Sequence, residues 1–216
     1  MQNILFDLDG TLIDPHEGIT KSIQYALGRL EIPTPDDLSW CIGLPLTDSF
    51  AKLLGTSDAQ TVTKAIGIYR ERYAKKGLYE NKVYPGIESC LSQLQSRGKS
   101  LFLATSKPKV FAKTIIEGFN LSRYFKGIYG SELDGSLSQK TDLIGYIIEQ
   151  ETLRKDETIM VGDRKFDLIG ANGQGIRSIG ITWGYGSKEE ILAHNPTMVC
   201  ESPDALQELI SQSETS

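Results

Sequence analysis

Residues 3–11 read Asn3-Ile4-Leu5-Phe6-Asp7-Leu8-Asp9-Gly10-Thr11, a short apolar run followed at once by two acidic residues and a glycine. A continuously apolar run of this length is typical of a β-strand that is buried on both faces. Open parallel sheets bind their ligands just beyond the carboxyl ends of their strands. The stretch therefore predicts a strand that delivers two carboxylates to a ligand site.

Four further apolar runs follow, and stretches with the helical period separate them. The predicted strands are Ser100–Ala104, Gly127–Gly130, Thr158–Val161 and Arg177–Ile181. The predicted helices between them are Ile87–Arg97, Lys109–Phe119, Thr141–Glu151 and Phe166–Asn172. This alternation predicts an α/β fold, a doubly wound parallel sheet with a Rossmann-like core.

One connection is too long for a single crossover, because the first strand ends near Phe6 and the second begins near Ser100. The intervening stretch has helical periodicity of its own in Gly18–Leu30, Thr47–Leu54 and Ala59–Lys76. Turn-forming residues mark its two borders, at Asp14-Pro15 and at Tyr84-Pro85-Gly86. We predict a small helical domain over residues 15–84, inserted into an α/β core formed by residues 1–14 and 85–216.

Composition excludes several classes of partner. The chain has 216 residues, with 23 Lys+Arg against 28 Asp+Glu and a net charge of −5. An acidic chain lacks the electrostatic footprint for nucleic acid or anionic lipid. No apolar run approaches the ~20 residues of a membrane span, and the N-terminus does not resemble a signal peptide. We predict a cytoplasmic monomer or homodimer that binds neither nucleic acid nor membrane.

Two more predicted strands end in polar residues. The fourth strand runs into Asp163 and Asp167, and the second strand runs into Thr105 and Ser106. Carboxylates that lie close together raise one another's pKa unless a cation is present. Two or three carboxylates with room for water and phosphate are a site that suits Mg²⁺.

Other metals fit this pattern less well. Counting from Asp7 as the first position of a calcium loop puts Gly18 at position 12, where an EF-hand requires Glu. No histidine or cysteine stands within these motifs, so zinc is not indicated. The three cysteines are far apart and form no CxxC motif: Cys41, Cys90 and Cys200.

The order of the motifs resembles the haloacid dehalogenase-like superfamily over nearly the whole chain. The series is Asp7-x-Asp9-Gly10-Thr11, then Thr105, then Lys140, then Gly162-Asp163-x-x-x-Asp167. Three further stretches resemble the phosphoglycolate phosphatase branch: Ile42-Gly43-Leu44-Pro45-Leu46, Val83-Tyr84-Pro85-Gly86-Ile87 and Ile181-Thr182-Trp183-Gly184-Tyr185-Gly186-Ser187. That branch implies a helical cap inserted after the first motif, which agrees with the predicted insertion.

The resemblance implies a Mg²⁺-dependent phosphatase for small phosphorylated substrates, with 2-phosphoglycolate as the leading candidate. Asp7 would attack phosphorus to form an aspartyl phosphate, and Asp9 would act first as acid and then as base. Thr105 and Lys140 would contact the phosphoryl group. Mg²⁺ would be held by Asp7, the backbone carbonyl of Asp9 and Asp163, with Asp167 orienting that shell. The implied substrate contacts are Gly10, Thr11, Ser106, Gly43, Leu44 and Pro45.

Some alternatives stay open at this point. Lys107 lies two residues after Thr105 and competes with Lys140 as the phosphate-contacting lysine. The family's lysine is commonly followed by proline, whereas Thr141 follows Lys140 here. The same site would also suit a pyrophosphatase or a sugar-phosphate mutase. A phospho-accepting signalling module or a non-catalytic phosphate-binding protein would place similar residues at a sheet edge.

Overall fold

A parallel β-sheet is the central feature of the computed structural model, which describes residues 1–212. The strands are β1 (Asn3–Phe6), β2 (Ile13–Asp14), β3 (Lys82–Val83), β4 (Ser100–Pro108), β5 (Gly127–Ser131), β6 (Thr158–Gly162), β7 (Arg177–Ile181) and β8 (Met198–Cys200). A six-stranded sheet has the order β5-β4-β1-β6-β7-β8, and a separate two-stranded sheet pairs β2 with β3. All neighbours in the larger sheet are parallel.

The doubly wound α/β fold class is confirmed, because the strand order runs outward from β1 in both directions. The five strands expected from apolar runs are all present, and β4 extends to Pro108, beyond the predicted end at Ala104. The strand β8 was not predicted. It has only three residues and lies at the sheet edge, so it leaves too short an apolar run to be recognised.

The helices are α1 (His16–Arg29), α2 (Leu46–Leu54), α3 (Ala59–Tyr73), α4 (Ile87–Ser96), α5 (Lys109–Gly118), α6 (Lys140–Gln150), α7 (Lys165–Gln174), α8 (Lys188–Leu192) and α9 (Pro203–Gln212). The first seven match predicted helices to within a few residues. The helix α8 has five residues, too few for a helical period to be visible in the sequence. Within residues 1–212 no helix combines the length and the hydrophobicity that crossing a membrane requires.

The chain forms two compact units. The core unit consists of Met1–Asp14 and the chain from Val83 onward, and the helical unit is Pro15–Lys82. Val83 and Tyr84 belong to the core unit, whereas the sequence predicts this border at residue 85. Their position follows from the backbone, because the Tyr84 N–H donates to the Leu12 carbonyl at 3.1 Å.

The helical unit has a core of its own. The rings of Phe50 and Tyr69 meet edge to face with centroids 6.0 Å apart, and Tyr69 stacks on Tyr73 at 5.2 Å. Near its end Arg72 donates two hydrogen bonds to the carboxylate of Glu80, at 2.8 and 2.9 Å. A bidentate pair of this kind, partly shielded from water, is stronger and more directional than an exposed ion pair.

Apolar side chains of β1, β4 and β6 pack against α6 and α7 on one face of the large sheet. The fully buried members of this cluster include Leu5, Phe102, Ala104 and Met160 from the strands and Leu143, Ile144, Ile147 and Ala171 from the helices. Burial of each large side chain contributes about 1.5–3 kcal/mol. The packing fixes the start of α6 close to the carboxyl ends of β1 and β4.

Glycines let α6 and α7 approach closely. A Cβ on Gly170 would lie 2.8 Å from Cγ of Lys140, and a Cβ on Gly173 would lie 2.9 Å from Cγ2 of Thr141. Gly175 ends α7 in the left-handed conformation with φ +66°. Gly170 and Gly173 are therefore helix-packing residues, whereas Gly175 ends the helix.

Substituting Gly170→Ala tests this packing. The added methyl group would meet the stem of Lys140 and the side chain of Ile144 at 3.0 Å, so we expect a loss of about 1–3 kcal/mol in the free energy of unfolding. Gly118→Ala is the control, because a Cβ there would meet no atom within 4 Å. Replacing a helical glycine by alanine raises the free energy of unfolding by up to about 1 kcal/mol. Urea denaturation of both variants measures the difference. Equal stabilities would contradict the packing role.

Candidate active site

The first acidic residue continues the strand that precedes it. The backbone N–H of Asp7 donates to the Val161 carbonyl at 3.0 Å, which extends the ladder between β1 and β6 by one residue. The chain then turns tightly, and the Leu8 carbonyl accepts from the N–H groups of Thr11, Leu12 and Ile13. The Asp7 carboxylate is thereby held at the carboxyl end of the sheet.

Gly10 meets two constraints at once. Its φ is +83°, a conformation that side chains disfavour, and a Cβ would lie only 2.1 Å from Oδ2 of Asp163. The sequence prediction gave this glycine a role in the approach to substrate. The contact with Asp163 is a further reason for glycine here, because any side chain would displace that carboxylate.

Three carboxylates meet at this edge of the sheet. One oxygen each from Asp7, Asp163 and Asp167 lies within 4.8 Å of the others, and all three residues are buried. Asp7 follows β1, Asp163 follows β6 and Asp167 lies in the first turn of α7. The structure thus brings together acids that are far apart in the sequence, as the predicted strand ends require.

Lys140, the first residue of α6, reaches into this acidic cluster. Its Nζ lies 2.9 Å from Oδ1 of Asp7 and 2.8 Å from Oδ1 of Asp167, and it donates to the Ala104 carbonyl at 2.8 Å. Burial lowers the pKa of the Lys140 ammonium, but the two carboxylates outweigh that effect and raise the pKa above its ordinary value. Lys140 is therefore charged, and it links Asp7 to Asp167.

Asp163 is fully buried and is held by two donors. Its Oδ1 accepts from the Thr11 hydroxyl at 3.2 Å, and its Oδ2 accepts from the Tyr185 backbone N–H at 2.8 Å. The pKa of Asp163 is raised well above its ordinary value by burial and by the negative charges of Asp7 and Asp167. The Thr11 hydroxyl thus supports this carboxylate, and contact of Thr11 with substrate stays a prediction.

The Asp167 carboxylate is held by a backbone group of the nearby Arg164. Its Oδ2 accepts from the backbone N–H of Arg164 at 3.1 Å, which closes a capping box at the start of α7. A Cβ on Gly162 would lie 2.1 Å from Cγ of Asp167, so only glycine fits there. Burial raises the pKa of Asp167, and the nearby Lys140 opposes that rise.

Asp9 lies apart from the three clustered carboxylates and has a lysine partner of its own. Its Oδ2 accepts from Nζ of Lys107, and the two side chains are 13% and 6% exposed. Its Oδ1 is buried and has no hydrogen-bond partner among the described residues. Burial raises the pKa of Asp9, and the charge of Lys107 opposes the rise. Of the two competing lysines, Lys140 contacts Asp7, and Lys107 contacts Asp9.

Thr105 and Ser106 lie at the end of β4. Thr105 is 2% exposed, and its hydroxyl oxygen accepts from the Lys107 backbone N–H at 3.3 Å. Because that oxygen accepts, the hydroxyl proton can be donated to another group. The Ser106 carbonyl accepts from the Ser131 hydroxyl at 2.8 Å. Contact of either residue with substrate stays a prediction.

The remaining predicted substrate contacts lie in the helical unit. Gly43, Leu44 and Pro45 form the turn between Cys41 and the start of α2, with Gly43 at φ +80° and Pro45 immediately before the helix. Proline before a helix start and a left-handed glycine define a rigid turn. Their part in substrate selection stays a prediction.

Sequence reasoning missed the loop that supports Asp163. A Cβ on Gly184 would lie 2.4 Å from the Asp163 Cβ, and one on Gly186 would lie 1.9 Å from the Asp163 carbonyl oxygen. Trp183 donates from its indole N–H to the Thr11 carbonyl at 3.1 Å. The sequence shows glycines at positions 184 and 186, but only the fold shows that they pass over Asp163.

Glu190 was also missed. Its Oε1 accepts from Nε of Arg164 at 3.0 Å and from the backbone N–H of Lys165 at 2.9 Å. These bonds fix the loop between Asp163 and Asp167 from the side of α8. A single glutamate in a short helix gives no sequence signal for such a role.

The residues at this edge fit a hard divalent cation. The donors of the described cluster are all carboxylate oxygens, and no histidine or cysteine lies among them. The raised pKa of Asp163 arises partly from repulsion by its neighbours, which a cation would relieve. Asp7, Asp163 and Asp167 could therefore hold such a cation, and the Asp9 carbonyl as a further ligand stays a prediction.

Comparison with known proteins agrees with this arrangement. The family model described as haloacid dehalogenase-like hydrolase matches residues 4–181. A relative from Pseudomonas aeruginosa named 5'-nucleotidase is 47% identical over 210 residues, which are 96% of this chain and 95% of the relative. A relative from Vibrio parahaemolyticus named phosphoglycolate phosphatase is 28% identical, and the matched residues are 97% of this chain and 96% of the relative.

A solved structure has the same fold over its full length. It is described as a predicted phosphatase from Clostridium acetobutylicum and has a TM-score of 0.93 and 46% sequence identity, covering 98% of each chain. The family match, the high identity of full-length relatives and the shared fold lead to one conclusion. The chain belongs to the haloacid dehalogenase-like hydrolase family.

Proposed function

We propose that this protein hydrolyses small phosphomonoesters in two displacements through an aspartyl phosphate on Asp7, with Mg²⁺ bound beside it. Membership of the family and its phosphatase relatives make it a phosphoric monoester hydrolase. The observation that carries the proposal is the buried cluster in which oxygens of Asp7, Asp163 and Asp167 lie within 4.8 Å of one another.

In the first displacement an Asp7 carboxylate oxygen attacks phosphorus and the bond from phosphorus to the ester oxygen breaks. Asp9 donates its proton to the departing oxygen, so that an alcohol leaves. Burial raises the pKa of Asp9, and its Oδ1 has no hydrogen-bond partner among the described residues; both features suit a group that donates a proton. Attack by Asp7 divides one difficult hydrolysis into two easier steps.

In the second displacement water attacks phosphorus of the aspartyl phosphate. Asp9, now ionised, accepts a proton from that water, and the bond between phosphorus and Asp7 breaks to release inorganic phosphate. Lys140 holds the Asp7 carboxylate in one orientation throughout, because its Nζ also contacts Asp167 and the Ala104 carbonyl. The Thr105 hydroxyl proton is available to a phosphoryl oxygen.

Charge balance explains why a cation belongs at the site. When all are ionised, Asp7, Asp9, Asp163 and Asp167 outnumber the lysines Lys107 and Lys140, which leaves the cluster negative before any phosphate arrives. Mg²⁺ held by Asp7, the Asp9 carbonyl and Asp163 would neutralise this charge and polarise the phosphoryl group. Asp167 would orient that shell.

The choice of substrate rests on the relatives and on the helical unit. The motifs first indicated 2-phosphoglycolate, whose named phosphatase relative is 28% identical to this chain. The relative named 5'-nucleotidase is 47% identical over nearly the same length, which supports nucleoside 5'-monophosphates as the first candidate and 2-phosphoglycolate as the second. We propose that the helical unit is a cap that selects the leaving group, with Gly43, Leu44 and Pro45 in its specificity loop.

Replacing Asp7 by Asn tests the nucleophile. We expect kcat to fall by about 10³-fold or more, since an amide oxygen is a poor nucleophile, while the fold is retained. Asp142→Asn is the matched control, because it makes the same change at an exposed position of α6 and should leave kcat unchanged. Steady-state phosphate release and circular dichroism measure both effects. A fully active, folded Asp7→Asn enzyme would refute the covalent mechanism.

Metal dependence has a readout that does not need turnover. We expect Mg²⁺ to raise the melting temperature of the EDTA-treated protein, because a ligand that binds only the folded state stabilises it, by about 2.7 kcal/mol at a hundredfold excess over its Kd. Asp163→Asn should abolish the shift, whereas Asp142→Asn should preserve it. An unchanged Mg²⁺ shift in Asp163→Asn would exclude Asp163 as a ligand. Activity should disappear with EDTA and return with Mg²⁺.

A substrate panel decides between the candidates. Nucleoside 5'-monophosphates, 2-phosphoglycolate, pyrophosphate and sugar phosphates are compared by kcat/KM, and we expect the nucleotides to exceed 2-phosphoglycolate by about tenfold or more. A preference for 2-phosphoglycolate would instead support the substrate that the sequence motifs indicate. A preference for pyrophosphate, or isomerisation of a sugar phosphate without phosphate release, would favour the other chemistries of the same site.

A further inference from the structure

Lys107 is a largely buried cation that has no role in the proposed mechanism. Its side chain is 6% exposed, and its Nζ contacts Oδ2 of Asp9. Its backbone also faces the active site, since the Lys107 N–H donates to the Thr105 hydroxyl oxygen at 3.3 Å. One residue therefore contacts both Asp9 and Thr105, the first through its side chain and the second through its backbone.

An irregularity in β4 puts Lys107 in this position. In the pairing of β4 with β5, Thr105 is opposite Gly130 and Pro108 is opposite Ser131, so Ser106 and Lys107 are extra residues between two consecutive positions of β5. Bulges of this kind redirect side chains and are common beside active sites. In a regular strand Lys107 would alternate with its neighbours and would stand opposite a residue of β5.

Two residues of β5, Gly130 and Ser131, accommodate and support the bulge. A Cβ on Gly130 would lie 2.6 Å from the Lys107 carbonyl oxygen and 2.9 Å from the backbone nitrogen of Lys109, so glycine is required opposite the extra residues. The buried Ser131 hydroxyl donates to the Ser106 carbonyl at 2.8 Å, which gives a hydrogen bond to a carbonyl outside the regular ladder. The bulge is therefore a supported feature of the fold.

We propose that Lys107 is a positioning residue for Asp9: its ammonium group holds Oδ2 and so leaves Oδ1 available for proton transfer. This inference rests on the proposed acid and base role of Asp9. The two oxygens of Asp9 have different surroundings, since Oδ2 is held by Lys107 whereas Oδ1 is buried without a partner among the described residues. A carboxylate fixed at one oxygen has lost most of its rotational freedom before substrate binds.

Lys107 and Lys140 consequently have separate tasks. Lys140 binds the carboxylates of Asp7 and Asp167, and Lys107 binds Asp9. A lysine that bound the substrate's phosphoryl group instead would contribute to substrate affinity. A lysine that acts through Asp9 contributes to the proton transfers, so its loss should appear in kcat.

The test compares Lys107→Met with two other variants on the best substrate of the panel. We expect Lys107→Met to lower kcat by about 10- to 100-fold, a part of the 10²–10⁴ that acid–base catalysis supplies, with KM changed less than about threefold. Lys107→Arg keeps the positive charge and the ion pair and should retain most of kcat. Lys109→Met removes a neighbouring exposed lysine and should leave both constants unchanged.

Each other outcome counts against the inference. A main effect on KM would make Lys107 a substrate-binding residue, and an unchanged kcat would make the ion pair irrelevant to catalysis. If Lys107→Met does not fold, as circular dichroism would show, folded Lys107→Arg decides, and a kcat as low as that of Asp9→Asn would overturn the proposal. Wild-type enzyme without phosphatase activity, or an active Asp7→Asn variant, would instead refute the proposed function on which the inference rests.

Discussion

Repulsion among buried carboxylates is the constraint around which the core unit is organised. Asp7, Asp163 and Asp167 lie within 4.8 Å of one another in an environment that water does not screen. Such a cluster is costly unless positive charge is supplied, and Lys140 supplies part of it by contacting Asp7 and Asp167. The remaining negative charge is the physical basis of the divalent-cation site that we propose.

Backbone geometry holds the carboxylates where side-chain attraction alone could not. Gly10, Gly184 and Gly186 surround Asp163 so closely that no side chain fits at any of the three positions. Gly162 does the same for Asp167, and Gly170 makes room for the stem of Lys140. Each of these glycines costs backbone entropy on folding, which is consistent with a site that is selected for geometry more than for stability.

The two lysines divide the acidic residues between them. Lys140 comes from the start of α6 and reaches across the sheet edge, whereas Lys107 comes from the bulge of β4. Because each lysine approaches from a different element, Asp7, the proposed nucleophile, and Asp9, the proposed acid, are held independently. This separation suits the proposed reaction, in which Asp7 would become phosphorylated while Asp9 exchanges a proton.

The sequence by itself determined the fold class and the position of the two acidic motifs, since buried parallel strands are continuously apolar and the acidic residues follow directly after them. It could not determine that Lys107 contacts Asp9, because that contact depends on a bulge opposite Gly130. Nor could it show that Thr11, Tyr185 and Glu190 support the site, since their partners are distant in the sequence. Local periodicity depends on residues that are close together in the sequence. Contacts between loops depend instead on the folded sheet, which brings distant parts of the chain together.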